Sequence, residues 1–293
     1  TTTQTDPNII TLLRFAVGFL GQGTAFAIGI SIIGNTSDHD RNFGFVIAGQ
    51  VAFGVITLFT LRPIVEHYQS IGGMYVPLAV LAAATLLIVK LIPTGSAHHE
   101  QSSGDRPAGS AALPLTGLAA MLIWCCGLGA MWQFVERIGV DGGLESVLAL
   151  RSLGVSTTVA IVGALGASAL AAKGINRFMP VTIALLMQML MAWLLQGEMN
   201  WVEMAVKASV FQIFCNMTGP FFMGAIAASD TSGKISVLIP AAQTSGFFIG
   251  PAVVGLFLES SGLAAVNYVT ITFCLLSLII FVPLSTKLKA AGY

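Results

Sequence analysis

Long runs of apolar residues dominate this sequence and restrict what it can fold into. One of them, FMPVTIALLMQMLMAWLL at residues 178–195, contains no charged residue. A helix needs about 20 apolar residues to cross the hydrocarbon core of a bilayer, and nine stretches reach this length when polar or Gly-rich residues mark their ends. We therefore predict an all-α polytopic membrane protein with nine transmembrane helices. The predicted spans are residues 8–34, 43–64, 73–93, 114–136, 144–172, 177–196, 201–228, 234–258 and 263–285.

Composition supports the membrane class and argues against several others. Only 9% of the 293 residues are charged, against about 25% in ordinary soluble domains. The formal net charge of +0 argues against nucleic acid as a partner, because that binding needs a basic surface. The four cysteines lie in apolar runs without metal-site or disulfide spacing, and we interpret them as packing residues. No catalytic motif stands in a suitable context, so we predict no enzyme, no cofactor and no metal site.

One long polar stretch divides the chain in two. Residues 94–114, TGSAHHEQSSGDRPAGSAALP, are rich in Gly, Ser, Pro and charge, which is typical of a linker. We predict an incomplete N-terminal half at residues 1–93, a linker at 94–113 and a six-helix C-terminal half at 114–293. Placing the linker and the C-terminus in the cytoplasm puts most Lys and Arg residues on that side, as the positive-inside rule favours.

An internal repeat relates the two halves. An offset of 193 residues pairs similar residues across three successive spans without a gap. Spans one to three therefore repeat as spans seven to nine, in the same orientation, because six spans separate them. The matched pairs are Arg14 with Lys207, Arg41 with Lys234, Ala48 with Ala241, Gln50 with Gln243, Glu66 with Glu259 and Tyr75 with Tyr268.

The first span resembles a signature of the major facilitator superfamily of transporters. Ile10, Arg14 and Gly18 have the spacing of that family's helix-4 motif, although Val17 stands where a Gln is usual. The resemblance implies two six-helix halves around a central cavity, related by an axis along the membrane normal. We then expect the visible spans to be helices 4 to 12, with the first three helices outside this sequence.

Two further regions are similar to motifs of the same family. The pair Gly250-Pro251 lies in a stretch that resembles the helix 10 to 11 region of bacterial permeases. The loop AAKGINRF matches the family's second Gly, Asp, Arg loop in Gly174 and Arg177, with Asn176 in place of the usual Asp. The resemblance implies roles in packing or gating for these residues.

Three basic residues within the spans are candidates for substrate binding or coupling. Arg14, Arg151 and Lys207 lie inside apolar stretches, where a charge costs about 2.5 to 3.5 kcal/mol on insertion scales. Arg14 shares a helix face with Gly18 and Gly21, which suits close helix packing or a protein-lined cavity. The alternative for each is that the long side chain reaches the headgroup region.

Amide side chains within the spans form a second candidate set. Buried amides need partners, which can be a substrate, water or another helix. Gln50 and Gln243 are related by the repeat and belong to helices that line the cavity in the resembled family. The alternative for the whole set is interhelical hydrogen bonding. Its members are Gln22, Gln50, Gln133, Gln212, Asn216 and Gln243.

On this resemblance we expect a monomeric secondary transporter of the bacterial cytoplasmic (inner) membrane, with its C-terminus in the cytoplasm. It would move a small organic molecule by alternating access, with protons as the coupling ion for efflux and the lipid bilayer as its surroundings. One alternative is a cation symporter that imports an organic anion, which Arg14, Arg151 and Lys207 would attract. Another is a non-transporting membrane protein or a remnant.

Overall fold

The structure, a computed structural model, describes residues 6–18, 23–68, 72–87 and 111–290. All regular structure within these ranges is helical, which confirms the predicted all-α class. The helices are α1 (Pro7–Ala16), α2 (Thr24–Gly34), α3 (His39–Tyr68), α4 (Gly72–Thr85), α5 (Ala112–Asp141), α6 (Ser146–Val159), α7 (Ile161–Ala172), α8 (Phe178–Leu194), α9 (Trp201–Ser229), α10 (Ile239–Ser261) and α11 (Ala264–Ala290).

The described helices overlap the predicted spans. The span at 8–34 contains both α1 and α2, and the span at 144–172 contains α6 and α7, which meet at Ala160. Five helical segments of the described residues are long and apolar enough to cross a membrane, consistent with an integral membrane protein. That all nine stretches cross a membrane stays a prediction. The five segments are Ala112–Asp141, Ser146–Ala172, Trp201–Ser229, Ser236–Ser261 and Ala264–Thr286.

Local sequence signals explain where several helices begin and end. Asn200 begins α9 by accepting the backbone N–H groups of Val202 and Glu203, and the Glu203 carboxylate accepts the N–H of Asn200 in return. This capping box satisfies N–H groups that have no partner inside the helix. After α7, Gly174 has a φ of +67°, a left-handed conformation that glycine adopts without a steric cost.

Small residues allow the C-terminal helices to pack closely. α5 packs against both α10 and α11. A Cβ atom on Gly250 of α10 would clash with the carbonyl oxygen of Cys126 in α5, so the two backbones are in direct contact at this point. Pro251 follows inside α10. The predicted packing role of Gly250 therefore has a defined structural setting.

Aromatic residues fill the centre of this C-terminal region. The rings of Trp124 in α5 and Phe222 in α9 stack with centroids 5.6 Å apart, and Phe222 meets Phe281 of α11 edge-on at 5.0 Å. Phe222 and Phe281 are fully buried. Such ring pairs add about 1 kcal/mol each beyond the burial of apolar area, which makes α5, α9 and α11 a cohesive unit.

The N-terminal helices contact the C-terminal region mainly through α3. α3 packs against α7 and α9, and the Ser168 hydroxyl of α7 donates a hydrogen bond of 2.8 Å to the carbonyl oxygen of Arg41. By contrast, α4 and the turn that follows it expose Val80, Leu86 and Leu87. Exposed apolar side chains of this kind suit contact with lipid or with another apolar surface.

Candidate solute-binding cavity

A cavity of about 1040 Å³ lies between the N-terminal helices and the C-terminal region. Helices α1, α2 and α3 line it on one side, and α5, α6, α9 and α10 line it on the other. Its volume is at the upper end of the range for sites that hold a drug-sized ligand. A concave site between two structural units is where such ligands most often bind.

Most of the predicted amide residues line this cavity. Gln50 faces it from α3 and Gln243 from α10, so the repeat-related pair contributes one residue from each side. Gln133, Gln212 and Asn216 complete the described set. Gln22 and Gly21 fall outside the described residues.

Most of these amides keep their hydrogen-bonding capacity. The Asn216 side chain donates to the carbonyl oxygen of Gln212 one turn earlier, at 2.9 Å. Within the described part of the chain, the side chains of Gln50, Gln133, Gln212 and Gln243 make no hydrogen bond. Each can offer two N–H donors and a carbonyl acceptor to water or to a ligand. The cavity therefore combines an apolar wall with several free amide groups.

Aromatic side chains form much of the apolar wall. Trp124 and Trp132 lie two helical turns apart on α5, at about 12 Å. Trp124 is almost completely buried, whereas Trp132 is 43% exposed. The described aromatic residues of the wall are Phe15, Phe26, Phe43, Trp124, Trp132, Phe211, Phe247 and Phe248.

A buried glutamine behind the wall holds Trp124 in place, and the sequence did not point to it. Gln188 of α8 is fully buried and its Oε1 atom accepts the Trp124 indole N–H at 2.9 Å. Its amide nitrogen donates to the Thr218 hydroxyl at 3.0 Å and to the carbonyl oxygen of Ala184 at 3.2 Å. The Cys215 thiol lies 3.3 Å from the same Oε1 atom. This network joins α5, α8 and α9, so Gln188 positions a residue of the cavity wall.

The three predicted basic residues are not among the residues that line the cavity. Arg14 and Arg151 are exposed, and Lys207 is partly buried. Glu203, one turn before Lys207, accepts a hydrogen bond from the backbone N–H of Asn200. Gly18 does line the cavity, and a methyl group added there would meet no atom of the described residues within 4 Å. A role for the basic residues in transport stays a prediction.

An ion pair outside the cavity lining joins the beginning of α3 to the beginning of α8. Arg177, at the start of α8, donates from Nε to both carboxylate oxygens of Asp40 in α3, at 2.8 and 3.1 Å. The two side chains are 18% and 13% exposed. A Cβ atom on Gly224 of α9 would clash with the same carboxylate, so Asp40 is packed between two elements.

Burial governs the ionisation of Asp40. It raises the pKa of this carboxyl above its ordinary value, and the charge and hydrogen bond of Arg177 offset the rise only in part. Asp40 therefore takes up a proton at a higher pH than a free aspartate. The resembled loop motif has Asn176 in place of Asp, and here Arg177 pairs with a carboxylate 137 positions away.

The described ranges contain no cluster of three or more His, Cys, Asp or Glu residues that could hold a metal ion.

Neither a protein-family model nor a curated protein matches this chain.

Proposed function

We propose that this chain is a secondary active transporter of the major facilitator type, which carries a small organic solute across a membrane by alternating access. The observation that carries the proposal is the cavity between the two sets of helices, faced by the repeat-related Gln50 and Gln243 from opposite sides. A central cavity between repeat-related halves is the arrangement from which alternating access operates.

The contact at Asp40 and Arg177 has the properties of a gate. A partly buried ion pair stabilises little in net terms, because the cost of removing both charges from water offsets most of their attraction. It is nevertheless specific, since each charge is poorly solvated without the other. The two halves can therefore separate at this end at modest cost, and protonation of Asp40 weakens the attraction that holds them. With the orientation predicted from the loop charges, this end lies on the cytoplasmic side.

A change in the accessibility of the cavity tests alternating access without knowledge of the substrate. Gln50→Cys supplies a single thiol in a protein whose four native cysteines are replaced by Ala. A membrane-impermeant maleimide is then applied to right-side-out and inverted vesicles. We expect Arg177→Gln to increase the labelling rate of this thiol from the cytoplasmic side severalfold, because the gate opens. Lys173→Gln is the matched control, since Lys173 is an exposed cation near the same loop.

Equal labelling rates in the parent, the Arg177→Gln protein and the Lys173→Gln protein would contradict the proposal. Monodisperse gel filtration of all three shows that they are folded. The comparison depends on the position of the gate and on no property of a substrate.

We propose that protons drive efflux. Labelled 2-naphthamide, 2-naphthoate and 2-naphthamidine, which differ in charge and little in shape, are offered to inverted vesicles with pH gradients of either sign. An acid interior should drive accumulation, and a protonophore should abolish it. Accumulation under the opposite gradient would indicate symport, and movement that ignores both gradients would contradict proton coupling.

A further inference from the structure

The cavity has an unusual combination of lining groups. Among the described residues that line it, none carries a formal charge. Its polar character comes from amides, with four glutamine side chains that make no hydrogen bond in the described part of the chain. Its apolar character comes largely from aromatic rings, including Trp124 and Trp132.

A charged ligand would be poorly compensated in such a cavity. An ion loses hydration when it enters a site with apolar walls, and it needs an opposite charge to recover that loss. Amide dipoles and aromatic faces compensate an ion only in part. The three basic residues that could attract an anion, Arg14, Arg151 and Lys207, do not line the cavity.

The same groups suit a neutral molecule with a flat apolar part and amide-like polar groups. Aromatic side chains contact planar ligands through stacked or edge-on arrangements. A glutamine amide donates and accepts hydrogen bonds in one plane, so it pairs with a ligand that also has both donor and acceptor groups. Gln50 and Gln243 reach such a ligand from opposite sides, while Gln133 lies next to Trp132 on α5.

We infer that the cavity binds an uncharged, planar aromatic solute that carries amide-like hydrogen-bonding groups. This inference rests on the proposed transport function for its biological meaning, but the binding can be measured separately. A neutral solute argues against the organic anion that Arg14, Arg151 and Lys207 would indicate if they were considered alone.

Equilibrium dialysis of the purified full chain against the three naphthalene probes tests the inference. The neutral 2-naphthamide should bind at least about tenfold more tightly than the anionic 2-naphthoate or the cationic 2-naphthamidine. Gln243→Leu should weaken binding of 2-naphthamide about tenfold by leaving a polar group of the ligand without its partner. Gln196→Leu is the control, because Gln196 lies outside the cavity.

Each other outcome has a defined meaning. Equal or tighter binding of either charged probe would overturn the inference, and so would a failure of all three probes to bind. An unchanged affinity in Gln243→Leu would also overturn it. If the gate responds to Arg177→Gln in the labelling experiment while a charged probe binds best, only the substrate class is wrong. If the neutral probe binds best while the gate does not respond, the transport proposal fails and the binding site stands.

Discussion

The predicted repeat aligns two helix junctions, and one aspartate from each of them shows the opposite behaviour to the other. The first junction, residues 35–41, leads into α3, and the second junction, residues 228–234, leads towards α10. In the first, Asp40 pairs with Arg177, 137 positions further along the chain. In the second, Asp230 turns inward and accepts hydrogen bonds from the backbone N–H groups of Ile235 and Ser236, at 2.8 and 2.7 Å.

The pKa values of the two carboxyls follow from these environments. Burial raises the pKa of Asp40 more than Arg177 lowers it. Burial also raises the pKa of Asp230, but hydrogen bonds from Ser236, Ser232 and Ile235 outweigh it and hold that pKa below its ordinary value. Asp40 of the first junction therefore pairs with a distant cation, whereas Asp230 of the second stabilises its own loop.

Removal of Arg177 should have the largest effect on stability. Arg177→Ala leaves the buried Asp40 carboxylate without its partner, which costs about 3 kcal/mol in the free energy of unfolding. Denaturant titration of the purified protein in detergent micelles measures this loss. Lys173→Ala, the exposed neighbour, should change stability by less than about 0.5 kcal/mol. Equal losses in the two variants would remove the distinction between the junctions, since the Asp40 pair would then contribute nothing specific.

Sequence patterns and structure agree where the signal is local or periodic. The helical class follows from runs of apolar residues, and the repeat pairs Gln50 with Gln243, both of which line the cavity. No sequence pattern indicates the role of Gln188, because it is a lone amide in an apolar stretch and its partner Trp124 lies 64 positions away.

The ion pair between Asp40 and Arg177 was also beyond the reach of local patterns. Asp40 and Arg177 lie 137 positions apart, and no repeat offset or motif spacing relates them. Only the packing of α3 against α7 and α9 brings the two charges together. Contacts between halves depend on how complete helices assemble, which short sequence motifs do not encode.

Loss of Asp230 should have the second largest effect on the free energy of unfolding. The structural change should be confined to the second junction. Asp230→Ala removes the acceptor for the backbone N–H groups of Ser232, Ile235 and Ser236 and for the hydroxyls of Ser232 and Ser236, at a cost of about 2 kcal/mol. This loss is measured as a fall in the free energy of unfolding. Thr231→Ala, at an exposed neighbouring residue, is the control. Labelling of the Gln50→Cys thiol should stay at the parent rate, unlike in Arg177→Gln. A faster rate would mean that both junctions act as gates.

The smallest change at neutral pH should come from Asp40→Asn, and its pH dependence should have the sign opposite to that of Asp230→Asn. Asparagine can still accept from Arg177 and avoids the burial cost that raises the Asp40 pKa, so the loss should stay below about 1 kcal/mol. Because folding raises the Asp40 pKa above 3.8, its contribution to stability is fully present below that pH and is lost as the pH rises through the folded value. For Asp230, whose pKa is lowered from 3.8, the contribution is present above that pH and is lost as the pH falls through the folded value.

Unfolding of the parent and both variants between about pH 3 and about pH 8 measures the two differences in stability. The advantage of the parent over Asp40→Asn should fall with rising pH, while its advantage over Asp230→Asn should rise and then level off. Slopes of the same sign would show that the two junctions hold their aspartates in equivalent environments, and the gate would then have no proton-sensitive member at Asp40.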